Sequence, residues 1–210
     1  MPVVFEKKED SFSIGIWQST ESLEELLVRA GLKPVDRQTW DGFKSIKRKI
    51  EWLAVRVLLK KIFDGRKCPE IKYDEKGKPH LDNGDSISIS HTREFVAVMV
   101  SPMKHAGIDI ETIYPRIEDL SRKFLSDEEK KSVPESHRLE FLHIIWGAKE
   151  VMFKIYGNGE MDFKTHLLTK PFLWSTNGMV NSSIRKNEFE LDLDIHFLEF
   201  RDMMLVYGVC

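Results

Sequence analysis

Cysteine is scarce in this chain: two among 210 residues, Cys68 in a turn-like segment and Cys210 at the last position. So placed, they give neither a disulfide framework nor the paired spacing of a zinc site. Long apolar runs are lacking too; none approaches the roughly 20 residues needed to cross a bilayer. The start, Met1 to Asp10, is too polar and too acidic for a signal peptide. A cytoplasmic protein with no membrane partner is expected. Nor is there an excess of positive charge. With 32 Lys and Arg against 34 Asp and Glu, the formal net charge is −2, which argues against a general nucleic-acid binder. No low-complexity tract or long linker divides the chain.

What is present is enough for a core and a solvated surface, with 41% hydrophobic and 31% charged residues. Ser13–Trp17 reads as a strand, and a helix follows from a cap at Ser22 to Ala30, stopped by Gly31 and Pro34. A long helix is expected over Lys44–Phe63, with Ile46, Ile50, Leu53 and Val57 as its apolar stripe. Tyr73–Pro79 is turn-rich. Ser86–Ser90 alternates as a half-buried strand, with Phe95–Val100 as its neighbour. The second half opens on a strand, Gly107–Glu111. Helices over about Ile117–Lys130 and Arg138–Tyr156 come next, then strand-like runs after Gly157. Each half runs strand, helices, then antiparallel strands. The pattern predicts an α+β fold of two similar, tightly packed α/β subdomains, 1–102 and 103–210, with the break near Pro102.

Three constellations carry chemistry. Asp109 and Glu111, two apart on a strand, project from one face while Ile108 and Ile110 point into the core. Adjacent like charges are unfavourable unless something cationic sits between them, and hard oxygen ligands suit magnesium or manganese. A solvated acidic strand face is the plainer alternative. On the second long helix, Phe141, Ile145, Ala148, Met152 and Ile155 form the buried stripe. Trp146, Glu150 and Lys154 fall on roughly the opposite side, with Lys149 between the two. A tryptophan on that second face predicts a helix covered on both sides, with Glu150 and Lys154 partly desolvated; an ordinary i,i+4 Glu–Lys pair is the plainer alternative. Finally, Lys44, Lys47, Arg48 and Lys49 crowd the start of the first long helix, with Arg56 two turns on from Arg48. Cations there oppose the helix dipole, so stability does not explain them; binding a phosphate would, the plainer alternative being a solvated basic face. Ser90–His91–Thr92, at a strand end, offers hydroxyl, imidazole and backbone N–H groups to an anion, although a lone histidine at a strand end is more often structural or merely exposed.

In collinear order these segments resemble the 4′-phosphopantetheinyl transferase superfamily, the type that activates peptide synthetases and other carrier proteins. Gly107–Glu111 resembles its G-x-D-x-E segment, and Trp146–Lys154 its W-x-x-K-E-x-x-x-K segment. Between them Phe124–Leu125–Ser126 with Glu129 resembles F-x-S-x-x-E. In the first half, Lys47–Arg56 is similar to K-R-x-x-E-x-L-A-x-R, Gly77–Lys78–Pro79 to G-K-P, and Ser88–Thr92 to S-x-S-H-[ST]. Gly147 and Val151 depart from the pattern at positions usually small and polar, and alanine or serine.

The resemblance implies transfer of the phosphopantetheine arm of coenzyme A to a carrier-protein serine, releasing 3′,5′-ADP. The site would lie between the two subdomains. It assigns Asp109, Glu111 and Glu150 to magnesium, with Mn²⁺ possible, and leaves open whether Glu111 reaches the metal directly or through water. Lys154 would stabilise the transition state, with Glu150, Glu129 or a metal-bound water as base. Arg48, Arg56 and His91 would bind the coenzyme A phosphates, Ser90 would support them, Lys149 would also contact the ligand, and Lys78 with Pro79 would lie near the adenine. The three carboxylates would converge with no protein cation sufficient to balance them. A monomer is expected. The rival readings are a metal-dependent nuclease and a non-catalytic module that binds coenzyme A or a carrier protein.

Overall fold

The computed structural model describes residues 3–157 and 159–210; Met1 and Pro2, where the polar start and the first half begin, lie outside them. In chain order come β1 (Val3–Glu9), β2 (Phe12–Gln18), α1 (Leu23–Ala30), α2 (Pro34–Asp41) and α3 (Ile46–Phe63). The short hairpin β3 (Ile71–Tyr73) and β4 (Pro79–Leu81) follows, then β5 (Ser86–Thr92), β6 (Phe95–Ser101) and β7 (Ala106–Thr112). The remainder is α4 (Ile117–Phe124), α5 (Asp127–Ser132), α6 (Arg138–Tyr156), β8 (Leu167–Thr169), β9 (Asn177–Lys186), β10 (Phe189–Phe200) and β11 (Met203–Val209). The protein is mixed α/β, with one antiparallel sheet ordered β1-β2-β6-β5 and a second ordered β7-β11-β10-β9-β8.

Alternation along the strands sorts their side chains into layers. Phe12, Ile14 and Ile16 of β2, Ala97 and Met99 of β6, Ile108 and Ile110 of β7, and Leu205 of β11 meet in one core between the sheets. The opposite faces are covered by helices. Val96, Val98 and Val100 of β6 pack with Leu53, Leu58 and Leu59 of α3, and Met204 and Val206 of β11 pack with Ala148, Val151 and Met152 of α6. Each sheet therefore carries one long helix on its outer face.

Local signals explain several boundaries. Ser22 caps α1 in a reciprocal box with Glu25, and Gly31 ends it in the left-handed conformation. The expected helix over 117–130 is two helices. Ser126 caps α5 with Glu129 as its box partner, and this competing start breaks the run at Leu125. The stripe expected on α3 is also displaced: Leu53 is fully buried, but Ile46 is 66% exposed, while Trp52, Val55, Leu58, Leu59 and Phe63 are inside. Contact with α1 on one side and the sheet on the other gives this helix a broad buried arc, so no single stripe describes it. β1, α2 and the β3–β4 hairpin were not anticipated from sequence.

Candidate active site

Where the two sheets meet, β5 lies beside β7, and hydroxyl side chains join them. Ser88 Oγ accepts from the Ile108 amide at 3.0 Å, Ser90 Oγ donates to Asp109 Oδ1 at 2.8 Å, and Thr92 Oγ1 donates to Glu111 Oε1 at 2.8 Å. Three hydroxyls at period two thus bridge the seam from one strand face. Because Ile108 and Ile110 enter the inter-sheet core, Asp109 and Glu111 face α6.

A cavity of about 460 Å³ opens along this seam, a size suited to a small-molecule ligand. α3 contributes Arg48, Glu51, Trp52 and Arg56; the β3–β4 hairpin Tyr73, Gly77 and Pro79; β5 Ser90 and His91; β7 Asp109 and Glu111; and α6 Trp146, Glu150 and Lys154. Cations from the first half of the chain therefore face carboxylates of the second. Arg56 lies over the Trp52 ring and is tied to Asp36 Oδ1 at 3.1 Å. Arg48 Nη1 sits 3.4 Å from His91 Nε2. Of the basic cluster at the start of α3, only Arg48 lines this cavity; Lys47 is solvent-facing and Lys49 lies over the Trp40 ring.

On the acidic side Lys154 Nζ donates to the Ile108 carbonyl at 2.7 Å and to Asp109 Oδ1 at 2.9 Å. One protein cation, Lys154, is therefore already engaged by the triad. It does not suffice. Burial, reinforced by the Asp109 charge, pushes the Glu150 carboxyl up to about 7 against the smaller pull of Lys154. Among the described residues no three His, Cys, Asp or Glu side chains converge closely enough to hold a metal as they stand. Asp109 is drawn to Ser90 and Lys154, and Glu111 to Thr92. The donor chemistry nonetheless fits a hard divalent ion. Of the four carboxylates lining this cavity, Asp109, Glu111 and Glu150 lie together on its acidic side; they offer only oxygen, and their charge is under-compensated.

Two expected site residues lie elsewhere. Lys149 is 0% exposed; its Nζ donates to the carbonyls of Phe124 and Phe163, at 2.8 and 2.6 Å, and to Glu129 Oε2 at 2.7 Å. With three donors committed, Lys149 is a structural clamp and not a ligand contact. Glu129 is equally occupied, accepting from the Ser126 and Thr169 amides and the Thr169 hydroxyl. Capping of α5 turns it inward, which removes it as a candidate base. Lys78 lies in an adjoining cavity of about 280 Å³, its Nζ on the Ile155 carbonyl at 3.2 Å. Pro79 borders both cavities. Glu51, Trp52 and Tyr73 also line the cavity; Glu51 stands inside the K-R-x-x-E segment, but the sequence pattern alone assigns none of the three a role.

The departures from the family pattern have steric partners. A Cβ on Gly147 would come within 2.6 Å of Val206 Cγ2, so α6 approaches β11 only with glycine there. Val151 packs over Gly107, whose added Cβ would meet the Val151 carbonyl at 2.7 Å.

The class of protein to which these segments point is the 4′-phosphopantetheinyl transferase superfamily, whose family model matches residues 105–194. That stretch carries Asp109, Glu111, Glu150 and Lys154. Among individual relatives, the 4′-phosphopantetheinyl transferase AcpT of Salmonella typhi is 38% identical over 71 residues, 33% of this chain and 36% of that protein. AcpT of Escherichia coli strain K12 is 31% identical over 117 residues, 52% of this chain and 59% of that protein. The chain thus spans between about a third and three-fifths of the length of these relatives. No helix among the described residues is long and apolar enough to cross a membrane.

Proposed function

We propose that this chain transfers the 4′-phosphopantetheine arm of coenzyme A to a serine of an acyl or peptidyl carrier protein. The observation that carries this reading is the single cavity in which Arg48 and His91 stand opposite Asp109, Glu111, Glu150 and Lys154. A pyrophosphate substrate needs both halves, cations for its outer phosphate and a charge-compensated centre for the one that reacts.

In this reading Arg48, His91 and Arg56 bind the coenzyme A phosphates, with Ser90 fixing Asp109 behind them and Pro79 beside the adenine. Asp109, Glu111 and Glu150 would hold magnesium, or manganese in its place. Bound there, the ion would neutralise pyrophosphate oxygens and orient them. Lys154 meets the charge that grows in the transition state. The serine oxygen of the carrier protein forms the new bond to the pantetheine-side phosphorus, the bond to 3′,5′-ADP breaks, and the serine proton passes to Glu150. The reading extends to a cytoplasmic monomer whose two halves, 1–102 and 103–210, pair about the cavity. The presence of one helix-covered sheet in each supports that pairing.

The test is intact mass spectrometry of apo carrier proteins incubated with the chain, coenzyme A and magnesium. A gain of one phosphopantetheine is expected. Unchanged mass across a panel of carrier proteins, with coenzyme A intact, would overturn the reading.

A further inference from the structure

Glu51 is the unexpected member of the cation-lined end of the cavity. It is only 8% exposed, yet it stands where an anion is to bind. Its Oε2 lies 3.7 Å from Arg48 Nη1 and 3.7 Å from His91 Nε2, and its Oε1 lies 3.8 Å from Lys47 Nζ. A carboxylate in such a place repels an incoming phosphate unless it does something that outweighs the repulsion.

The geometry suggests what that is. Arg48 Nη1 and His91 Nε2 are 3.4 Å apart, at the long end of hydrogen-bond range, so this contact alone holds the two side chains only loosely. The Arg48 side chain is 49% exposed and His91 42% exposed, so solvent offers each of them alternative orientations. Glu51 Oε2 is shared between the two. It is anchored on α3 one turn beyond Arg48, next to the fully packed Trp52–Leu53 stretch, and so has little freedom of its own.

We propose that Glu51 is a positioning residue, holding Arg48 and His91 side by side so that both engage one terminal phosphate of the ligand. The cost of ordering two mobile side chains is then met in the free protein and not at binding. Lys47, at the solvent edge of the same carboxylate, offsets part of its charge. This inference rests on the reading of the cavity as a coenzyme A site.

The experiment is titration calorimetry on the full chain with coenzyme A and with dephospho-coenzyme A, which lacks the 3′-phosphate. Wild type, Glu51→Gln, Arg48→Ala and the double variant are compared. Glu51→Gln is expected to weaken coenzyme A by about 5- to 20-fold, the range of one or two polar contacts, and dephospho-coenzyme A by less than about 2-fold. In the Arg48→Ala background the same change should have almost no effect, because the group it positions is gone. Simple charge repulsion predicts the opposite sign. Tighter or unchanged coenzyme A binding by Glu51→Gln would overturn the proposal, as would equal weakening of both ligands that adds to Arg48→Ala. Should Glu51→Gln fail to fold, Glu51→Asp decides: it keeps the charge one methylene short, and loss of selectivity for the 3′-phosphate is again the expected result. A wild type that binds neither ligand overturns the coenzyme A reading itself. A wild type that binds and discriminates while Glu51 variants match it overturns this inference alone.

Discussion

At the scale of single residues, Asp109 shapes the chemistry of Glu150. Glu150 has its carboxyl raised from 4.5 to about 7, by burial first and by Asp109 next. A carboxyl whose folded pKa lies above its unfolded value stabilises the fold below the unfolded value and loses that contribution as pH rises through the folded one. In chelator, wild type should therefore lose up to about 3 kcal/mol between pH 4.5 and 7 relative to Glu150→Gln. Urea denaturation at pH 5 and pH 8 checks this, and a pH-independent difference would contradict it. Asp109 accepts from both Ser90 and Lys154. Asp109→Ala should therefore destabilise the metal-free protein by about 1–3 kcal/mol, against the gain expected if nothing balanced the triad. It should also lower the midpoint of Glu150, observable by carboxyl-carbon NMR titration.

At the scale of elements, α6 is the organising piece. One face carries Glu150 and Lys154 to the cavity, while Lys149, one residue earlier, ties the helix to the end of α4, to α5 and to the backbone at Phe163. Trp146 stacks on Phe163 at 5.5 Å and lies 5.2 Å from Phe124, so the aromatic cover of the site depends on the same clamp. Lys149→Met would leave Glu129 charged and buried without its partner. A loss of about 3–5 kcal/mol is expected by denaturant melt, with the coenzyme A affinity of the remaining folded protein little changed. A large affinity loss without a stability loss would return Lys149 to the ligand. The facing strand has its own constraint at Gly107. Gly107→Ala, with its Cβ at 2.7 Å from the Val151 carbonyl, forces β7 away from α6. It should cost about 1–3 kcal/mol and reduce transfer, since Asp109 and Glu111 ride on that strand.

For the whole molecule, the seam between β5 and β7 matters most, because it faces the cations of one half towards the carboxylates of the other. Under-compensated charge at that seam gives a direct global readout. Magnesium should raise the melting temperature of wild type and barely move that of Asp109→Ala, because binding to the native state alone stabilises it. Stripping the metal should abolish transfer, and restoring magnesium or manganese should recover it. Full transfer in excess EDTA would remove the metal from the reading.

Much of this was legible in the sequence because it depends on neighbours along the chain. Period two placed Asp109 and Glu111 on one strand face. The α6 stripe, from Phe141 to Ile155, is buried throughout, and the Ser22 and Gly31 signals bounded α1. What lay outside its reach depends on partners distant in the chain. A residue type and a spacing read alike for Lys149 and Lys154, yet one is sealed against Glu129 and the other opens on the cavity; only the packing of α5 and the Phe163 segment separates them. The serines of β5 read as a half-buried alternation, and their work as a bridge to β7 exists only once the sheets meet. Glu51, too, acquires its meaning from His91, forty positions away, because a carboxylate's role is set by the charges folded around it.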